Sequence, residues 1–135
     1  MRVELRKWSM ADKQALITIC NQIDRSYLSD RLPNPYTEAS ADWWLHRVYR
    51  KDGEVGYYLL ADYSGKGIMS EALRQICELA FQELDILRIS GLVYEPNAAS
   101  RRVLEKNGFV LEGTMKQAVI KDEKIYDLCV YGKIK

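Results

Sequence analysis

The sequence has little of what staples a small protein or builds a metal site. It holds one histidine, His46, and nothing in the chain pairs with it as a catalyst or ligand. Its three cysteines, Cys20, Cys77 and Cys129, are odd in number, far apart and free of any C-x-x-C spacing. That excludes a disulfide framework or zinc site and reads as small core residues in a reducing compartment. Charge of one sign is lacking too: 20 Lys and Arg against 19 Asp and Glu leave a net +1. Such a chain has no electrostatic reason to seek nucleic acid or an anionic membrane. No run approaches the ~18 apolar residues of a membrane span. The start, Met1-Arg2-Val3-Glu4-Leu5-Arg6, has no signal-peptide core. These absences predict a cytoplasmic protein with no membrane or nucleic-acid partner and no metal. With 47% apolar and 29% charged residues and no linker or repeat, residues 1–135 read as one globular domain.

Val3 to Trp8 alternates apolar and polar residues and reads as a strand. Ser9, with Asp12 three residues on, resembles a capping box opening a helix. On that helix Leu16, Ile19, Cys20, Ile23 and Tyr27 share a face. Leu32-Pro33-Asn34-Pro35-Tyr36 is a breaker-rich loop, and Thr37 caps a short helix bearing Trp43, Trp44 and Leu45. Val55 to Leu60 is a β-rich run containing Gly56, and Ser70 to Leu84 is an amphipathic helix. Ala72, Leu73, Ile76, Ala80 and Leu84 form its expected inner face. Arg88 to Tyr94 is a strand, and Asn97 caps a helix that Gly108 ends. Phe109–Ile120 and Ile125–Ile134 read as two strands joined at Lys121-Asp122-Glu123-Lys124. The class is mixed α/β, a central mixed sheet flanked by helices.

Two segments carry chemistry. In the first, a strand runs through Asp62-Tyr63-Ser64-Gly65-Lys66-Gly67 into a helix starting Ile68-Met69-Ser70. The first N–H groups of a helix lack intrahelical partners, and with the dipole they favour an anion, most naturally phosphate. Gly65 and Gly67 permit close backbone approach. The loop is not a P-loop, since Gly67 follows Lys66, nor a dinucleotide fingerprint, since Ser70 stands where a third glycine is needed. Alone, Gly-Lys-Gly is as consistent with a tight turn before a helix.

The second segment runs Val93-Tyr94-Glu95-Pro96-Asn97-Ala98-Ala99-Ser100-Arg101-Arg102-Val103-Leu104-Glu105-Lys106-Asn107-Gly108-Phe109. In this order the two segments resemble the GNAT superfamily of acyl-CoA-dependent N-acetyltransferases. Gly65-Lys66-Gly67 is similar to its pyrophosphate loop, and Asn97, Ser100, Leu104, Glu105, Lys106, Gly108 and Phe109 to its N-x-x-S-x-x-x-[LV]-E-K-x-G-F helix. The spelling looks like the branch that acetylates protein N-termini, including ribosomal-protein alanine N-acetyltransferases. Leu32 to Thr37 with Trp43-Trp44-Leu45 is similar to that branch's acceptor side.

The resemblance implies acetyl-CoA bound between two splayed parallel strands, here Val55–Leu60 and Arg88–Tyr94. It implies that Leu59 and Leu60 hold the pantetheine arm and that Gly65, Lys66, Gly67, Ile68, Met69 and Ser70 wrap the pyrophosphate. Asn97 would bond the arm, with Ser100, Arg102 and Lys106 nearby; Arg101 is a further basic neighbour. Glu54 matches a glutamate that family members are proposed to use as base, and it equally reads as a surface carboxylate. Ser100 matches a proposed acid for the departing thiolate, and equally a helix-face or phosphate contact. The tyrosine acid that many members carry seven residues after the asparagine is Leu104 here. Tyr126 and Tyr131 are alternatives, or packing residues. Tyr36, Trp43, Tyr58 and Tyr126 are the expected acceptor-binding residues.

One departure stands out. The family places a hairpin before the strand at Glu54, yet only His46 to Gly53 separate Leu45 from it. Two strands with turns need roughly 15 to 20 residues. The expected fold is therefore a GNAT fold shortened by one hairpin. Its bare edge predicts an altered sheet or a strand-exchanged homodimer. Three functions fit: acetylation of a protein or peptide α-amine, acetylation of a small amine, and acyl-CoA binding without turnover.

Overall fold

A computed structural model describes residues 2–28, 32–45 and 53–135. The short stretch between Leu45 and Gly53, where the hairpin is expected and where His46 falls, lies outside the described residues. Four strands form one sheet in the order β1-β2-β4-β3: β1 is Glu54–Val55, β2 Arg88–Tyr94, β3 Val110–Lys121 and β4 Lys124–Ile134. β1 runs parallel to β2, and the other two neighbouring pairs are antiparallel. The helices are α1 (Lys13–Gln22), α2 (Glu38–Leu45), α3 (Ile68–Glu83) and α4 (Ala98–Lys106).

α3 and α4 pack on one face of the sheet. Inward residues of β2 and β4, Ile89, Val93, Cys129 and Tyr131, pack with Leu73 and Cys77 of α3 and Leu104 of α4. A second cluster joins Leu16 and Cys20 of α1 to Ala41 and Leu45 of α2, with Tyr36 between and Tyr58 against it. All three cysteines are free and buried. No described helix is long and apolar enough to cross a membrane.

Local signals explain most elements. The Asp12 carboxylate accepts the Ser9 N–H at 2.8 Å and its hydroxyl at 3.2 Å, opening a 3-10 turn, Met10–Asp12, that leads into α1. Thr37 Oγ1 accepts the Ser40 N–H at the start of α2. At the end of α4, Phe109 N–H reaches Leu104 O and Gly108 N–H reaches Glu105 O, with Gly108 at φ 81°. This is the Schellman pattern, closed by the buried Phe109 ring. Asp122 and Glu123, at φ 50° and 64°, make the tight turn between β3 and β4.

Four expectations change. Val3 to Trp8 forms no strand. An alternating pattern becomes a strand only beside another strand's N–H and C=O groups. Instead Val3 O accepts from Gln75 on α3, and Arg6 pairs with Asp12. The run Val55–Leu60 is in the ladder only at Val55. On α3 the buried line is Leu73 and Cys77, one turn apart, whereas Ile76 is 40% exposed. On α1 the shared face stops at Ile23, and Tyr27 sits in the following turn.

Leu104 is 1% exposed and its methyl carbons lie 3.1 and 3.3 Å from where a Cβ on Gly91 would stand. Leu104→Ala is expected to destabilise by about 2–5 kcal/mol, read from urea unfolding. The Arg6 side chain, then the Ser9 N–H, hold the Asp12 carboxyl down at about 2, below its ordinary value. Its contribution is present above pH ~4 and lost as pH falls towards ~2. Asp12→Ala is therefore expected to lose stability at neutral pH and to show a shallower acid limb.

Candidate functional site

The β1–β2 ladder has two registers, Glu54 opposite Ser90 and Val55 opposite Gly91, and then stops. β2 continues to Tyr94 beside β4 alone, while residues 56–60 run on without a ladder partner. Two parallel segments therefore part, and one edge of each is left with backbone donors and acceptors to offer. Side-chain alternation holds them apart. Tyr57 packs towards the α3–α4 core, and Tyr58 towards the α1–α2 cluster. The Tyr57 hydroxyl donates to Ser100 O at 3.0 Å and accepts from the Ser100 hydroxyl at 3.0 Å, joining the parted segment to the first turn of α4. Tyr58 Oη lies 3.0 Å from Cys20 Sγ. Burial pushes both tyrosine hydroxyls upward, and a neighbouring Cys20 adds to this at Tyr58, so both stay protonated.

A cleft of about 520 Å³ opens where the strands part. After Leu60 the chain makes a 3-10 turn, Ala61–Tyr63, and then a loop with Gly65 at φ 73° and Gly67 at φ 76°. Gly67 is the N-cap of α3 and adopts the left-handed region that side chains disfavour. Gly65 and Gly67 to Ser70 all line the cleft, so the N-terminus of a 16-residue helix borders it. The first turn of α4 forms another wall. Asn97 Oδ1 accepts the Ser100 N–H at 3.2 Å, which leaves its side-chain NH2 as the group able to donate inward. Arg102 and Lys106 bring two cations to the same wall. Two helix N-termini and two cations make a surface suited to a phosphate-bearing ligand.

Most of the residues the sequence singles out come together. Leu59, Gly65, Gly67, Ile68, Met69, Ser70, Asn97, Ser100, Arg102, Lys106 and Tyr58 line one cleft. Leu60 and Lys66 do not; Lys66 Nζ stands 5.7 Å from the Tyr63 ring centre. Glu54 is exposed at the start of β1, outside the cleft lining. Tyr36 is 4% exposed inside the α1–α2 cluster, its backbone clasped by Asn21 and its hydroxyl pushed up to about 12 by burial. Trp43 is 59% exposed on α2. Tyr126 stacks on Tyr94 at 5.5 Å and meets the edge of Tyr27, a cleft-lining residue, at 6.1 Å, without lining the cleft itself. Arg101 turns to Tyr131, whose fully buried hydroxyl it donates to at 3.0 Å and which in turn donates to Glu105 at 2.8 Å. Tyr131 is thus a packing residue.

Tyr57, Asp24 and Tyr27 also line the cleft and were not singled out. Strand alternation could have found Tyr57, because Glu54, Gly56 and Tyr58 share one face and Tyr57 must take the other. Among the described residues no group of His, Cys, Asp and Glu could hold a metal.

A model of the acetyltransferase (GNAT) domain matches residues 43–110, half of the chain. The chain belongs to the GNAT acetyltransferase family. It is 34% identical over 91 residues to a putative ribosomal N-acetyltransferase, YdaF, of Bacillus subtilis, covering 67% of this chain and 49% of that protein. To the ribosomal-protein-serine acetyltransferase of Escherichia coli it is 33% identical over 84 residues, 62% of this chain and 47% of the relative. The GNAT chain thus spans about half the length of the curated relatives it matches. A solved ribosomal L7/L12 α-N-protein acetyltransferase, RimL, in complex with coenzyme A has the same fold, with TM-score 0.82 at 21% identity over 96% of this chain and 92% of that one.

The Tyr57–Ser100 pair ties two elements of the GNAT domain 43 residues apart. Tyr57→Phe removes both hydroxyl bonds and is expected to destabilise by about 1–3 kcal/mol by urea unfolding. Its loss is expected to weaken ligands that enter the parted strands, which a coenzyme A titration would show.

Proposed function

We propose that this chain binds acetyl-CoA in the cleft and transfers the acetyl group to a primary amine, specifically the α-amine of a protein or peptide N-terminus. The observation that carries this reading is the ladder that ends at Val55–Gly91 beside two helix N-termini. The residues present fit the cofactor. The backbone at residues 57–59, outside any ladder among the described residues, suits an extended amide-bearing arm, and the Asn97 NH2 can donate to it. The loop Gly65–Ser70, with Arg102 and Lys106, suits a pyrophosphate.

The bound thioester supplies an activated acetyl carbon. A backbone N–H near Leu59 offers a donor where the carbonyl oxygen gathers charge. The acceptor's lone pair attacks that carbon, the C–N bond forms, the C–S bond breaks with its electron pair on sulfur, and the amine loses a proton. An α-amine of pKa ~7.7–8.0 is neutral often enough to need only light base assistance. Glu54 stands outside the cleft lining, so the reading sends that proton to water. The Ser100 hydroxyl is joined to Tyr57 and belongs to the wall as much as to any proton transfer. Arginine and lysine side chains here hold phosphates; they do not react.

Relatives named for ribosomal-protein acetylation favour the α-amine over a small amine. Three free, buried cysteines agree with a cytoplasmic setting. The match spans only about half of those relatives, and the second reading keeps the cleft as an acyl-CoA site without turnover. The segment from Val3 to Trp8, which forms no strand, and β1 at the edge of the sheet among the described residues would suit exchange with a second copy.

Calorimetric titration with acetyl-CoA tests the reading. One saturable site is expected, weakened at least ~10-fold by Gly67→Pro, because proline cannot adopt the φ of 76° found there. A variant that keeps the wild-type circular dichroism and binds equally well would sink it. Acetylation of a peptide starting with Ala or Ser separates enzyme from binding module.

A further inference from the structure

One carboxylate reaches the cleft among its described lining residues, and it is Asp24. It comes from the α1–α2 connection, a different wall from α4 with its two cations. Asp24 also lines a second cavity, of about 480 Å³, between that connection and the β3–β4 turn. It is the residue the two cavities share.

The geometry around it is built. The Ser26 hydroxyl and N–H donate to Asp24 Oδ1 at 2.6 and 2.9 Å, an Asx turn that fixes the carboxylate. Both bonds fall on one oxygen, so Oδ2 can take a further donor. The same bonds, with the charge of Lys121 farther off, hold the carboxyl below its ordinary range, so it is ionised at neutral pH. The basic residues of the second cavity are engaged by the protein itself. Arg25 donates to the carbonyls of Cys20, Leu32 and Pro33 at 2.6 to 3.0 Å, and Lys121 donates to Leu28 O. Asp122 also lines this cavity. Where the two cavities meet, the structure thus holds a fixed carboxylate with an oxygen able to accept a donor from an entering chain end.

We propose that Asp24 is the acceptor-binding residue, taking an N–H of the incoming α-amine where the two cavities meet, with the peptide lying in the outer one. This rests on the reading of the cleft as an acetyl-CoA site. As the C–N bond forms, positive charge grows on that nitrogen, and a fixed carboxylate beside it favours the change. A protonated α-amine first gives one proton to water, the neutral amine attacks, and a second proton leaves to water once the C–N bond has formed. Asp24 keeps its charge throughout and is no proton store.

The test is peptide binding to the protein saturated with coenzyme A. Two probes are used, an Ala-starting peptide with a free α-amine and its N-acetylated twin. The wild type is expected to prefer the free amine at least ~10-fold, the scale of one hydrogen bond to a charged group. Asp24→Asn is expected to abolish that preference, leave coenzyme A affinity within ~2-fold, and lower kcat/KM for the peptide at least ~10-fold. Asp24→Glu is expected to restore part of the preference. A wild type that does not distinguish the peptides overturns the proposal, as does an Asp24→Asn variant that still does. The peptide preference is read without turnover, so a chain that shows it yet transfers no acetyl group refutes the enzyme reading and leaves this one standing.

Discussion

Everything at the site follows from one interruption, the end of the β1–β2 ladder after Val55 and Gly91. A parallel pair normally continues, because each unpaired backbone group facing away from water is costly. Here two side chains fix the parting. Tyr57 reaches over to Ser100 on α4, and Tyr58 turns the opposite way to Cys20 on α1. The two helical layers pull successive residues of one segment to opposite sides, so the segment cannot relax back onto β2 without losing both contacts. The parting is thus a packed feature of the core, and it brings the start of α3 and the start of α4 to one opening.

The same logic explains the N-terminal segment. Val3 to Trp8 has the alternation of a strand but, among the described residues, no strand edge to bond to. A strand is a property of a pair, so the pattern alone does not make one. Short-range chemistry takes over, with the Arg6–Asp12 ion pair and the Gln75 bond to Val3 O fastening it across α3. The sheet that remains has β1 at its edge, two residues long, which is itself a modest liability for edge pairing.

What the sequence reveals divides along this line. The caps at Thr37 and Asn97, the glycine stop at Gly108, the strand Arg88–Tyr94 and the loop Gly65–Gly67 are encoded within a few residues, and each is found where its chemistry puts it. Since the loop and α4 carry most of the cleft, most of the cleft is legible. The acceptor side is not. Tyr36 and Trp43 look like recognition residues by type, yet one is folded into the α1–α2 cluster and the other stands on the open face of α2. Asp24 and Tyr57 matter through partners or cavities distant in sequence; strand alternation marks the face of Tyr57, and no local pattern marks Asp24.

Net charge is the least informative number in the sequence, and the site shows why. A net +1 suggests a protein indifferent to charged ligands. Yet Arg102, Lys106 and two helix N-termini lie on one side of the cleft and Asp24 on another. A transfer between an anionic donor and an amine that gains positive charge as it reacts would call for both signs, held apart. Long-range attraction for either partner would repel the other, whereas local fields within a Debye length of ~8–10 Å act on each separately. Balance over the whole chain and separation within the cleft are therefore two aspects of the same arrangement.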